Sequence, residues 1–218
     1  MNAVLVPVRS LSGSKSRLAS RLDDEQRREL AAAMLDDLLD AVGAAAAPQT
    51  VAVVSSDRAL LDDAKARGAE AIHEGPARGL NRAVAMAAER LEAAGVTRLL
   101  TVPGDVPGLD AREVDAAFDT DADRYPVVAI PSATGTGTNG LLTGPPSVVG
   151  FHFEGASLSA YARAAEQAGL AMLTLPLDSF AVDVDTPRDL SALAANRAPR
   201  TVALARAWQL IEPSRRTG

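Results

Sequence analysis

Three stretches of this 218-residue chain carry side chains suited to chemistry on phosphates. In Phe180-Ala181-Val182-Asp183-Val184-Asp185-Thr186-Pro187-Arg188-Asp189-Leu190, Asp183 and Asp185 stand two apart. Read as extended backbone, they emerge on one side, and two like charges on one face are best relieved by a shared cation. The plainer alternative is that Asp185 caps the helix opening at Pro187 while Asp183 lies at the surface. In Leu99-Leu100-Thr101-Val102-Pro103-Gly104-Asp105-Val106-Pro107-Gly108-Leu109, an apolar strand runs into a carboxylate held between two Pro/Gly turns. A rigidly placed Asp105 suits Mg2+, which takes one or two protein carboxylates and completes its octahedron with water and substrate phosphate. An Asp that caps the following turn is the competing reading.

The third stretch, Val6-Pro7-Val8-Arg9-Ser10-Leu11-Ser12-Gly13-Ser14-Lys15-Ser16-Arg17-Leu18, passes from an apolar run into hydroxyls, one glycine and three cations. Arg9 and Arg17 can grip phosphate oxygens as forks and Lys15 as a point charge, while Gly13 lets backbone approach a ligand closely. It is not a Walker A loop, because the earlier glycine of that pattern is missing and Ser14 separates Gly13 from Lys15. Solvated cations before a helix would look similar. Taken together, Asp105, Asp183 and Asp185 facing this loop would give a two-magnesium cluster of the kind phosphoryl and nucleotidyl transfer require.

Three smaller signals accompany these. Asn81, in Gly79-Leu80-Asn81-Arg82-Ala83, opens a helix and either contacts a nucleobase or ribose or caps that helix. Ser132 to Gly140 is a donor-rich loop after a strand, fit to cradle an acidic acceptor or to form a hairpin tip. Phe151-His152-Phe153-Glu154-Gly155-Ala156-Ser157 leads into a helix, with Ser157 as the expected N-cap and its amides as a phosphate seat.

The elements that must position these residues follow from hydrophobic periodicity. Short β-branched runs predict strands at Ala3 to Val8, Thr50 to Ser55, Arg98 to Val102, Val127 to Pro131, Asn139 to Thr143 and Ala171 to Leu175. Apolar residues at three- and four-residue spacings predict helices at Asp24 to Ala47, Leu60 to Arg67, Leu80 to Ala94, Ala111 to Phe118, Ser157 to Ala168, Pro187 to Ala195 and Val202 to Leu210. Thr186 is the expected N-cap before Pro187. This alternation predicts an α/β fold, a single three-layer α/β/α domain over 1–212 with a mostly parallel mixed sheet, followed by a disordered tail at 213–218.

Apolar residues make up 47% of the chain but aromatics only 3%, so the core must be built from small side chains packed closely. The formal net charge of −6 argues against nucleic-acid and anionic-membrane partners, so any anion site must be local. No cysteine is present, which removes disulfides, thiolate metal sites and a Cys nucleophile. Pro7 and Arg9 interrupt the first apolar run too soon for a signal peptide or membrane span, so a cytoplasmic protein is expected. Composition leaves a homodimer open.

The motifs VPVRSLSGSKSRL, PGDVPGL, GTGTNGLL, FEGASLSAY and DVDTPRDL occur in this order from Val4 to about Leu190. In this the chain resembles the guanylyltransferases of coenzyme F(420) biosynthesis, which act on 2-phospho-L-lactate or phosphoenolpyruvate. The resemblance implies a fold like that of the nucleotide-diphospho-sugar transferases, a Rossmann-like arrangement. It implies GTP bound by Pro7, Arg9, Gly13, Lys15, Arg17, Asn81, Pro103 and Gly104, with Lys15, Arg17 and Asp105 catalytic. It further implies a pair of Mg2+ ions on acids matching Asp105 and Asp183, with Asp185 nearby, and a small phosphorylated acid near Thr138 and Ser157, to which this chain's own residues add Asn139 and Glu154. Glu154 and Tyr161 depart from the pattern, since relatives commonly read Phe-Gly-Pro-x-Ser at the first and His at the second. A carboxylate beside the acceptor leaves 2-phospho-L-lactate, phosphoenolpyruvate and 3-phosphoglycerate all open. Two rival readings are a haloacid-dehalogenase-type phosphatase using Asp183, through the Asp183-Val184-Asp185-Thr186 pattern, and a nucleotide-binding protein without turnover.

Overall fold

A β-strand flanked on both faces by helices must be apolar at successive positions, and the first strand is. In the computed structural model of the protein, which describes residues 1–9, 18–76 and 79–212, β1 (Asn2–Pro7) lies in the interior of the sheet. Around it stand β2 (Thr50–Ser55), β3 (Glu70–His73), β4 (Arg98–Thr101), β5 (Val127–Pro131), β6 (Thr138–Thr143) and β7 (Met172–Thr174). The strand order is β3-β2-β1-β4-β6-β5-β7. β6 runs antiparallel to β4 and β5, and the other neighbouring pairs are parallel. That exception has a local cause, because the short turn joining β5 to β6 can close a hairpin but is too short for a crossover.

Helices α1 (Asp24–Ala44), α2 (Arg58–Ala66), α3 (Leu80–Ala93), α4 (Ala111–Phe118), α5 (Ser157–Gln167), α6 (Pro187–Ala192) and α7 (Pro199–Ala207) complete the described elements. Side chains alternate between two cores as a strand's period of two demands. Val4, Val6, Val53 and Leu100 pack on Leu35, Leu38 and Val42 of α1, Leu60 of α2 and Val114 of α4. Ala3, Leu5, Ala52 and Leu99 pack on Val84, Ala87 and Leu91 of α3 and on Tyr161 and Ala165 of α5. The result is the three-layer arrangement expected from the alternation. A third cluster sets Leu30 and Met34 of α1 against Val184, Leu190 and Ala205, and so docks the segment that carries Asp183 and Asp185.

Several expectations are corrected. β3 was not predicted, because Ile72 is the one fully buried apolar residue of this edge strand and leaves no periodic signal. α2 begins earlier than expected because the Asp57 carboxylate accepts from the amides of Ala59 and Leu60. α1 stops at Ala44, α6 at Ala192, and α7 opens at Pro199. The stretch from Val182 to Asp185 is irregular rather than an extended strand, and follows a short 3-10 turn at Asp178–Phe180. The tail at 213–218 lies outside the described residues. No helix among the described residues is long and apolar enough to cross a membrane.

An acidic triplet on α1 ties down the last helix. The buried Asp37 carboxylate accepts from the Thr201 amide at 2.9 Å and hydroxyl at 2.8 Å, and from the Arg200 amide and guanidinium at 3.2 Å each. These bonds satisfy the first amides of α7, which have no partner inside the helix. Arg67, the C-cap of α2, pairs with Asp36 at 2.8 Å and with Asp40 at 3.0 Å. Burial nonetheless raises the Asp36 carboxyl above its ordinary range, with Arg67 opposing the effect. Replacing Asp37→Ala strips α7 of its cap and leaves its amides unpaired, so the variant should lose about 3 kcal/mol in urea denaturation.

Candidate active site

Ligands of α/β sheets gather where parallel strands end at their carboxyl termini, and β1 and β4 end side by side. Their exits are bonded together, with the Val102 amide donating to the Leu5 carbonyl at 2.9 Å and the Gly104 amide to the Pro7 carbonyl at 3.1 Å. Only a glycine allows this approach. A Cβ on Gly104 would lie 2.8 Å from Cγ2 of Val8, a stiff β-branched side chain that cannot yield easily. The Val106 amide donates to the Pro103 carbonyl at 3.2 Å, closing the turn in which Asp105 sits. Pro7, Pro103 and Gly104 thus shape the platform through backbone.

The acidic segment meets this platform through one bond. The amide of Val184, whose side chain is wholly buried, donates to the Asp105 carbonyl at 2.9 Å. Asp105 and the pair Asp183 and Asp185, distant in sequence, therefore flank the same backbone junction. The Asp183 Oδ1 atom accepts from Asn139 Nδ2 at 3.1 Å. The alternative in which Asp185 caps α6 is overturned. Asp189 Oδ2 takes the Thr186 amide at 2.7 Å and hydroxyl at 2.9 Å, forming a capping box with Thr186, and also takes the Asp185 amide at 3.0 Å. Among the described residues, however, no three His, Asp or Glu side chains come together as a metal-holding group, so the three-acid cluster expected from sequence is not assembled. Two hard carboxylates still match Mg2+, which draws its remaining oxygens from phosphate and water.

The opposite side of the site is framed by the 132–138 hairpin and the approach to α5. The Ala133 amide donates to Ala181 at 2.7 Å and the Leu158 amide to Thr136 at 3.1 Å, so this hairpin bridges the acidic segment and α5. Thr138 opens β6 with its hydroxyl buried and without a hydrogen-bond partner among the described residues. Ser157 is the first residue of α5 and not its N-cap, which is Ala156. Its amide donates to Gly155 at 2.9 Å, so this amide and that of Leu158 are already engaged and the expected phosphate seat is reduced.

Two further contacts close the frame. Arg9, just past β1, pairs with Glu154 at 3.1 Å, both side chains being well exposed. Asn81 does not cap α3, whose N-cap is Gly79 at φ 98°. Its Oδ1 accepts the Phe153 amide at 2.8 Å, which commits that oxygen to the loop carrying Glu154. Gly13, Lys15 and Arg17 lie outside the described residues.

A scan against family models matches residues 2–197 to the guanylyl transferase CofC-like family. The chain belongs to this family. It is 38% identical over 191 residues to a phosphoenolpyruvate guanylyltransferase of Conexibacter woesei, covering 87% of this chain and 85% of that one. It is 35% identical over 210 residues to a 3-phospho-D-glycerate guanylyltransferase of Phenylobacterium zucineum, covering 93% and 94%. Among solved structures, a Desulfovibrio desulfuricans protein classed with the nucleotide-diphospho-sugar transferases superposes with a TM-score of 0.77 at 20% identity, over 96% of both chains. The fold expectation therefore holds, and the chain is a nucleotidyltransferase. The phosphatase reading finds no support, since the Asp183 to Thr186 pattern follows β7 at the sheet edge rather than the first strand.

Sequence reasoning missed Tyr161 as a builder of the site. Its ring is wholly buried, stands edge-on to His152 and Phe153 at 5.7 Å, and its hydroxyl accepts the His152 amide at 2.9 Å. Burial pushes the phenol well above its ordinary value, the hydrogen bond acting the other way more weakly. Replacing Tyr161→Phe should cost about 1 kcal/mol by leaving that amide unpaired. Because the folded state favours the neutral phenol, wild-type stability should fall as pH rises past 10, the ordinary value, and the difference from Tyr161→Phe should narrow over that range in parallel denaturation series.

Proposed function

We propose that this chain transfers GMP from GTP to the phosphate of a three-carbon phosphorylated acid, phosphoenolpyruvate foremost, releasing pyrophosphate, as a step in coenzyme F(420) biosynthesis. The observation that carries the reading is the bond from the Val184 amide to the Asp105 carbonyl, which sets two acidic segments beside the ends of β1 and β4. The name of the Conexibacter woesei relative supports the acceptor, and that of the Phenylobacterium zucineum relative makes 3-phospho-D-glycerate the second choice.

An oxygen of the acceptor's phosphate attacks the α-phosphorus of GTP in line. A new phosphorus–oxygen bond forms as the bond to the β-phosphate's bridging oxygen breaks, and pyrophosphate carries away the charge. The attacking group is already anionic at neutral pH, so neither a protein nucleophile nor a strong base is needed, and catalysis reduces to placement and neutralisation. Asp105 and Asp183, with Asp185 beside them, would hold Mg2+, which supplies charge neutralisation on the triphosphate when bound. Arg9 would hold GTP phosphates at the end of β1, and the family resemblance gives Lys15 and Arg17 the same task. The buried hydroxyl of Thr138 suits an acceptor oxygen, because it has no hydrogen-bond partner among the described residues. Glu154 is balanced by Arg9, which lowers its repulsion of an anionic acceptor. The reading takes the enzyme to be cytoplasmic and without nucleic-acid or membrane partners, in keeping with its net charge of −6.

Phosphoenolpyruvate, 2-phospho-L-lactate and 3-phospho-D-glycerate should each be offered with each nucleoside triphosphate, and the products weighed by mass spectrometry. GTP with phosphoenolpyruvate should give the fastest pyrophosphate release and a product that keeps the acid's own phosphate; tight GTP binding with no release for any acid would sink the proposal. The Asp105→Asn variant should lose on the order of a hundredfold to a thousandfold in kcat with an unchanged circular dichroism spectrum. An active variant would remove Asp105 from the reacting centre.

A further inference from the structure

Asn139 is the second residue of β6 and is buried, with 6% of its surface exposed. Its Nδ2 atom lies 2.9 Å from the Phe180 carbonyl, 3.3 Å from the Ala181 carbonyl and 3.1 Å from Asp183 Oδ1. A side-chain amide nitrogen has two hydrogens, so three acceptors occupy it fully. The nitrogen is therefore committed to the acidic segment and is not offered to an acceptor. The same segment is gripped from a second direction. Phe180 is wholly buried, and a Cβ at Gly140 would lie 3.0 Å from its ring, so the backbone at 180 is fixed both by the ring and by the amide.

We propose that Asn139 is a positioning residue that orients the Asp183 carboxylate toward a divalent cation, and does not touch the acceptor. The inference rests on the nucleotidyl-transfer reading above. One carboxylate oxygen receives the amide hydrogen, which fixes the plane of the group and leaves the second oxygen to the cation. Because the donor is neutral, it orients the carboxylate without cancelling its charge, as a guanidinium would. The residue type is specified by the contacts. Aspartate here would set an anion against two carbonyls and a carboxylate, leucine would take the donor away from the Phe180 carbonyl and from Asp183, and glutamine is one methylene too long for the same bonds.

The test uses Mn2+ alone as probe, titrated into the whole protein and read by water-proton relaxation, alongside steady-state kinetics with GTP and the preferred acid. Asn139→Ala should weaken Mn2+ binding by about tenfold to a hundredfold, with kcat falling and KM for the acid little changed. Asn139→Ser, which keeps a donor, should fall between. In an Asp183→Asn background the further change Asn139→Ala should cost no additional Mn2+ affinity, since the side chain acts through Asp183. Unchanged Mn2+ affinity in Asn139→Ala, or a raised KM for the acid with Mn2+ binding intact, overturns the proposal. So does failure of both single variants to fold, which would make Asn139 purely structural. If the wild type transfers GMP and binds Mn2+ but the variants match it, only this proposal falls; a wild type that binds no Mn2+ and transfers nothing removes the underlying reading as well.

Discussion

The site depends on a single backbone hydrogen bond, from the Val184 amide to the Asp105 carbonyl. Asp105 is placed by a tight turn at the end of β4, and the turn is locked to β1 through the Gly104 amide. Asp183 and Asp185 have no strand to align them. Their position comes from Val184, which buries its side chain among the residues of α1 and α7 and turns its amide to the turn after β4. A backbone bond at such a place resists replacement, because no substitution short of proline removes the donor. The hydrophobic anchoring of Val184 and the polar contact of its amide therefore act in series: the core cluster sets where the segment lies, and the bond sets its register.

Charge distribution follows from the same constraint. A protein with net charge −6 can attract a triphosphate only where cations are concentrated locally. Arg9 stands at the end of β1 next to that junction, and its described partner is the exposed Glu154. An exposed pair of this kind is worth little in stability. Its consequence is geometric, because it links the β1 side of the cleft to the loop before α5, which Asn81 and Tyr161 hold from below.

Much of this was legible from the sequence, and the rest was hidden for identifiable reasons. β1, β2, β4 and β5 were readable because consecutive β-branched and aliphatic residues face two cores at once. The turn around Asp105 was readable from its Pro/Gly punctuation. β3 was not, since an edge strand with one buried aliphatic residue has little period to detect. The N-cap of α6 was readable, with Thr186 standing before Pro187, and Asp189 three residues on completes its capping box. The N-cap of α5 misled because Ser157 is a favoured capping type, yet its neighbours Gly155 and Thr136 take the amides instead. Asn139 could only be read as a polar residue near an acceptor, because its partners lie 41 or more residues further along.

Two buried or half-buried acids of this chain show how the same group is given opposite tasks. Asp37 is surrounded by the amides of α7, the Thr201 hydroxyl and the Arg200 guanidinium, so its charge is matched inside the protein and holds the last helix in place. Among the described residues Asp183 meets a neutral amide instead, which orients the group and leaves its charge unmatched. The arrangement is maintained by the rest of the molecule: Val184 in its cluster, Phe180 against Gly140, and a sheet whose small side chains let the two segments approach.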